Sequence, residues 1–80
     1  MICSFECTFC RTCVDEILNN VCPNCGGGFE ARPVRPRTEH RPGVSLTQRP
    51  ASNERKHLKF TRDDVAAFAE RVKDIPPGDR

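Results

Sequence analysis

Ile2-Cys3-Ser4-Phe5-Glu6-Cys7-Thr8-Phe9-Cys10-Arg11-Thr12-Cys13, joined through eight residues to Cys22-Pro23-Asn24-Cys25-Gly26, holds all six cysteines of an 80-residue chain. The spacing is C-x3-C-x2-C-x2-C-x8-C-x2-C. A C-x2-C step lets one tight turn bring two thiolates to the same metal ion, about 2.3 Å from Zn²⁺ each. That step recurs at Cys7 and Cys10, at Cys10 and Cys13, and at Cys22 and Cys25. Pro23 and Asn24 lie inside the last step and Gly26 follows it, the residue types that pre-set φ or accept positive φ in a turn.

Disulfides are the competing use of an even cysteine count, and they need an oxidising compartment. The stretch from Met1 to Cys13 carries Glu6 and Arg11, has no positively charged leader and no uninterrupted apolar run, so no export signal is visible. Nor does any segment approach the roughly 20 apolar residues of a membrane span. The expectation is a protein of the reducing cytoplasm that binds zinc. A thioredoxin-like use of C-x2-C would need a βαβ scaffold, for which the chain is too short. With 36% hydrophobic residues and neither Trp nor Tyr, an 80-residue chain buries too little surface to be secure unaided. A metal supplies what is missing, since zinc bound to a site absent from the unfolded chain contributes on the order of 10 kcal/mol to folding.

Charge divides the chain into three. Residues 1–25 set Arg11 against Glu6, Asp15 and Glu16, a net of −2. Residues 26–60 carry Arg32, Arg35, Arg37, Arg41, Arg49, Arg55, Lys56 and Lys59 against Glu30, Glu39 and Glu54, a net of +5, and residues 61–80 return to −1. Within the first part, Val14, Ile17, Leu18 and Val21 fall at i, i+3, i+4 and i+7, and Thr12 with Asp15 forms an N-cap signature. The spacing predicts a short helix from about Val14 to Asn19, its apolar face packed on Phe5, Phe9 and Phe29. Ile2 to Phe5 reads as a strand or knuckle. Prolines at Pro33, Pro36, Pro42 and Pro50 predict an extended, flexible segment over 30–59. Phe60 before Thr61, with Asp64 and Val65 beyond, predicts a capped helix bearing Val65, Phe68, Ala69 and Val72 on one face and stopped by Pro76 and Pro77. An isolated helix of about 12 residues is marginal, so its stripe either docks on the cysteine module or binds a partner. The organisation expected is a Cys-rich module over 1–29, a Pro/Arg-rich segment over 30–59, and a short amphipathic helix and tail over 60–80.

Ile2-Cys3-Ser4-Phe5-Glu6-Cys7-Thr8-Phe9-Cys10, with Cys13 and then Val21-Cys22-Pro23-Asn24-Cys25-Gly26-Gly27, closely resembles the small bacterial family known as domain of unknown function 1272. Arg32-Pro33-Val34-Arg35-Pro36 and the stretch from Arg49 to Arg55 look like that family's tail, so the resemblance spans about residues 2–59 and leaves the C-terminal helix uncovered. It implies a zinc-binding module and no established activity. The spacing also resembles the latter part of a RING-type cross-brace, implying a small zinc-stabilised α+β module of RING-like or treble-clef type. Mapped that way, Cys3, Cys7, Cys22 and Cys25 form one complete tetrathiolate. Cys10 and Cys13 are then half of a second site, whose other C-x2-C pair in family members lies before the Ile-Cys-Ser-Phe run, so the module is expected to be incomplete at its start. A ribbon using Cys10, Cys13, Cys22 and Cys25 satisfies the same spacing and stands as the alternative.

All-cysteine zinc sites are closed and structural, whereas catalytic zinc keeps an open position, so an enzyme is not expected. His40 and His57 lie 17 residues apart in the basic segment and fit no helical pairing. Ubiquitin-ligase activity is not expected either, because Gly26-Gly27-Gly28 stand where the RING resemblance would place a linchpin arginine nearby. The function expected is a non-enzymatic zinc protein that interacts with another protein. Two chains could also share one zinc through Cys10 and Cys13 of each. The alternative is weak association with nucleic acid through the arginines, for which aromatic stacking platforms are missing from residues 31–59.

Overall fold

The structure, a computed structural model, describes residues 1–51 and 58–80. It starts with a knuckle. Cys3 N–H donates to the Cys7 carbonyl at 3.1 Å and Glu6 N–H to the Cys3 carbonyl at 3.0 Å, closing a turn in which Glu6 takes φ 67°. Ile2 bridges Thr8 on one side and Glu30 on the other, in antiparallel sense. Pairing goes no further, and no longer strand forms among the described residues. The knuckle begins one residue after Ile2, so the segment turns before a ladder can extend.

Phe9 leads into α1, Arg11–Cys13, which widens without a break into a π-helical turn, Val14–Leu18. The helix thus starts three residues earlier than periodicity predicts. Its N-cap is Cys10 in place of Thr12, because the Cys10 Sγ accepts the Cys13 N–H at 3.4 Å. Asn19 and Asn20 both take left-handed backbone (φ 51° and 58°) and end the helix, an αL stop that asparagine tolerates. Asn20 N–H returns to the Val14 carbonyl at 3.0 Å, while Asn20 Oδ1 accepts Phe29 N–H at 2.9 Å.

The predicted apolar face forms. Val14 and Leu18 are buried in one cluster with Cys3, Cys22 and Phe29, Ile17 and Phe9 pack on its edge, and Val21 is buried outside it. Phe9 meets Phe29 edge to face, with ring centroids 5.6 Å apart, the arrangement favoured by the ring quadrupoles. Phe5 does not join them. It is 77% exposed, because it sits at the tip of the knuckle between two cysteines.

α2, Arg62–Val72, carries the expected capping box: Asp64 N–H donates to Thr61 Oγ1 at 3.1 Å and Thr61 N–H to Asp64 Oδ2 at 3.2 Å. Its stripe docks on the cysteine module, with Val65 in the same buried cluster as Val14 and Cys3. Beyond it a 3₁₀ turn, Pro77–Asp79, leads to Arg80.

Between these parts, residues 36–49 form a succession of turns. Leu46 N–H donates to the Pro36 carbonyl at 2.8 Å, Gly43 N–H to the Glu39 carboxylate at 2.6 Å, and the Arg35 guanidinium to the Arg49 carbonyl. Ser45 is buried beneath them. No helix among the described residues is long and apolar enough to cross a membrane. Arg55 and Lys56, part of the segment over 30–59 expected to be extended and flexible, lie outside the described residues.

Candidate metal centre

The knuckle and the loop after the π-helical turn face each other, and their thiols meet. Cys3, Cys7 and Cys22 bring their Sγ atoms within 4.8 Å of one another. Cys25 is near Cys22 but exposed, and stands outside the group of three sulfurs. The second pair is presented by its own turn, in which Gly26, at φ 78°, donates its N–H to the Cys22 carbonyl at 2.7 Å.

Backbone and side-chain donors point at these sulfurs. Cys7 N–H reaches Cys3 Sγ at 3.3 Å, Gly27 N–H reaches Cys25 Sγ at 3.4 Å, and Asn24 Nδ2 reaches Cys7 Sγ at 3.5 Å. Donors aimed at sulfur favour thiolate over thiol. Burial raises the Cys3 thiol, but bonds from the Cys7 and Phe5 backbone and from the Cys22 and Cys7 side chains outweigh it, and the value falls to about 7. Burial pushes Cys22 up to about 12, and its hydrogen bonds to the Cys25 and Cys3 sulfurs add to the rise. A soft divalent cation fits sulfurs that converge in this way, since sulfur–metal bonds offset the burial that disfavours a free thiolate.

Cys10 and Cys13 lie apart from this group, at the start of α1, with Cys10 exposed. The Cys13 backbone N–H, and then its thiol, lower the Cys10 thiol, while donation to Cys10 raises Cys13. Arg62 is near enough to draw the Cys13 thiol downward. Beside them an apolar cleft is lined by Phe9, Ile17, Leu58, Phe60 and Val65. His40 is exposed and, among the described residues, joins neither thiol group; His57 lies outside those residues. Of the two topologies the spacing allows, the cross-brace order is the one whose members Cys3, Cys7 and Cys22 meet. Among the described residues no three members of the ribbon set meet within 4.8 Å of one another. Sequence reasoning misses Asn20 and Arg80, and reads Asn24 as a turn residue without its bond to the Cys7 sulfur. An Asn-Asn pair at a helix end does signal an αL stop, but nothing local marks Arg80.

Residues 1–35 match the family described as "Protein of unknown function (DUF1272)". An uncharacterized protein of Rhizobium meliloti (strain 1021) is 61% identical over 36 residues, which are 45% of this chain and 43% of the relative. The chain thus spans less than half the length of that relative. No solved structure matches it. The resemblance carried by the cysteine core holds for residues 1–35, and the stretch around 49–55 lies beyond the matched part.

Proposed function

We propose that the chain is a non-enzymatic zinc module in which Cys3, Cys7, Cys22 and Cys25 form one tetrathiolate in RING-like cross-brace order, and that it serves to engage another protein. The observation that carries this is the convergence of three sulfurs from two separate turns, with Cys25 beside the third. Bound zinc would cross-link the knuckle to the Cys22 loop, through the same buried cluster that holds the π-helical turn and α2 together. A closed all-thiolate site leaves no position for substrate, which is why no reaction is assigned. Native mass spectrometry tests the assignment. One zinc per monomer is expected, lost on Cys22→Ser or Cys25→Ser; equal losses at Cys10 and Cys22, with Cys3 and Cys7 dispensable, would favour the ribbon.

Cys10 and Cys13 supply half of a second site. Paired across two chains they offer four thiolates, with the apolar cleft beside Cys13 adding contact area. Zinc-dependent dimerisation measured by sedimentation, abolished by Cys10→Ser while the first zinc is retained, is the expected signature.

A second reading is supported by one hollow, in which Arg35 and Arg49 face the same space as Ser45. With the net +5 of residues 26–60, it suits a phosphate backbone. Binding of single-stranded nucleic acid that weakens steeply with salt would move the function to this reading.

A further inference from the structure

The guanidinium of Arg80 is directed at the loop that carries Cys22 and Cys25, although the chain separates them by more than 50 residues. Arg80 Nη1 donates to the Asn20 carbonyl at 2.6 Å and to the Gly26 carbonyl at 3.3 Å, the residues that bracket the two cysteines. On its other side, Nε donates to the Ile75 carbonyl at 2.8 Å and Nη2 to the Lys73 carbonyl at 3.4 Å. One planar fork therefore ties the end of α2 to both ends of the thiol loop.

Two further contacts press the same segment onto the loop. A Cβ on Gly28 would lie 3.0 Å from both Cβ and Cγ of Pro77, so glycine is what admits the 3₁₀ turn. A Cβ on Gly26 would lie 3.4 Å from the Phe68 ring.

The decisive detail is one peptide unit. The Gly26 carbonyl that accepts from Arg80 belongs to the same planar group as the Gly27 N–H that donates to Cys25 Sγ. In a trans peptide the two bonds point in opposite directions. Arg80 holding the oxygen therefore aims the N–H at the sulfur, and a charge-assisted bond at one end polarises the donor at the other. Four thiolates on a divalent cation also leave a net charge of about −2, which a guanidinium at Gly26 offsets.

We infer that Arg80 is a positioning residue for the thiolate loop and that residues 62–80 clamp it, so that metal binding and the docking of α2 are one coupled equilibrium. The inference rests on the tetrathiolate proposed above. Coupling is reciprocal: metal strengthens the docking of α2 by the factor by which the docked segment strengthens metal binding.

Cobalt(II) titration of the full chain tests both levels, because thiolate-to-cobalt charge-transfer bands report the sulfurs themselves. Arg80→Ala is expected to keep the bands and weaken cobalt affinity by about tenfold, the scale on which groups behind metal ligands act. Hydrogen exchange at Val65 and Ala69 is expected to slow on adding cobalt to the natural chain and to respond far less in Arg80→Ala. Arg80→Lys restores charge without the planar fork and is expected to resemble the alanine variant. Gly28→Ala, which pushes on Pro77 and leaves Arg80 in place, is expected to weaken affinity in the same direction. The double variant should lose less than the two single losses combined, as coupled sites do. Should Arg80→Ala fail to fold, the lysine and Gly28 variants carry the comparison alone. Natural chain without charge-transfer bands would remove the metal reading and this inference together. Bands of unchanged affinity in all three variants, with α2 exchange indifferent to cobalt, would overturn the clamp and leave the metal centre standing; full rescue by lysine would overturn the role of the peptide.

Discussion

Two pairs of cysteines at the same C-x2-C spacing, Cys10 with Cys13 and Cys22 with Cys25, each leave one thiol exposed, Cys10 and Cys25, yet differ in what stands opposite them. Cys22 is fully buried, facing Cys3 and Cys7 across the core, whereas Cys10 is open to water at the start of α1. Spacing makes each pair able to hold a metal. What separates them is whether a second thiol-bearing turn stands opposite. The knuckle of Cys3 to Cys7 is opposite the Cys22 loop because Ile2 pairs with Glu30, which brings the two turns side by side. Among the described residues nothing equivalent faces Cys10 and Cys13.

The contrast breaks most decisively at Cys22. Cys22→Ser should remove the metal and with it the metal's contribution to folding, seen as a large drop in the denaturation midpoint. Cys10→Ser should leave both in place. Comparable unfolding in the two variants would erase the distinction. In the metal-free protein the same difference appears as alkylation order, with Cys10 modified first and Cys22 last when peptides are mapped over time.

Acidity sharpens it further. The Cys22 thiol, at 9.0 ordinarily and about 12 here, contributes stability that is fully present below pH 9 and is lost as pH rises through 12. Cys3, brought from 9.0 to about 7, contributes in the opposite sense: its share is present above pH 9 and is lost as pH falls through 7. Denaturant titrations of metal-free protein should therefore place greatest stability near pH 9. A stability flat from pH 7 to 11 would contradict the buried pair.

Smaller effects test the docking of α2 on the buried side. Val65→Ala opens a void beside Cys3 and Val14 and should cost about 2 kcal/mol in chemical denaturation. Thr61→Ala removes one half of the capping box and should cost about 1 kcal/mol. An α2 that merely rested on the surface would show neither loss in the cooperative transition of the module.

The parts of this molecule that could be read in advance are those written in local chemistry. The cysteine spacing, the Val14, Leu18 and Val21 face, and the Thr61–Asp64 box each depend on residues within a few positions of one another. Phe5 was misplaced because apolar character does not say which way a turn will aim a side chain, and the knuckle aims both flanking sulfurs inward. Thr12 lost the N-cap to Cys10 because a sulfur three residues before Cys13 N–H already fills that role. Arg80 lay beyond any local rule, since its partners are set only once α2 has docked.

The widened turn at Val14–Leu18 has a consequence for chain length. A π turn closes its bonds over one more residue than an α turn, so this segment is in effect an α-helical linker that has absorbed an insertion. The eight residues between Cys13 and Cys22 are therefore not the fewest that could carry the second pair across the core. Deleting one exposed residue, Asp15 or Glu16, would let the linker relax to α-helical pitch, with Val14 and Leu18 returned to a spacing of three and still on one face. The length of the segment between Cys13 and Cys22 then carries a tolerance built into the backbone.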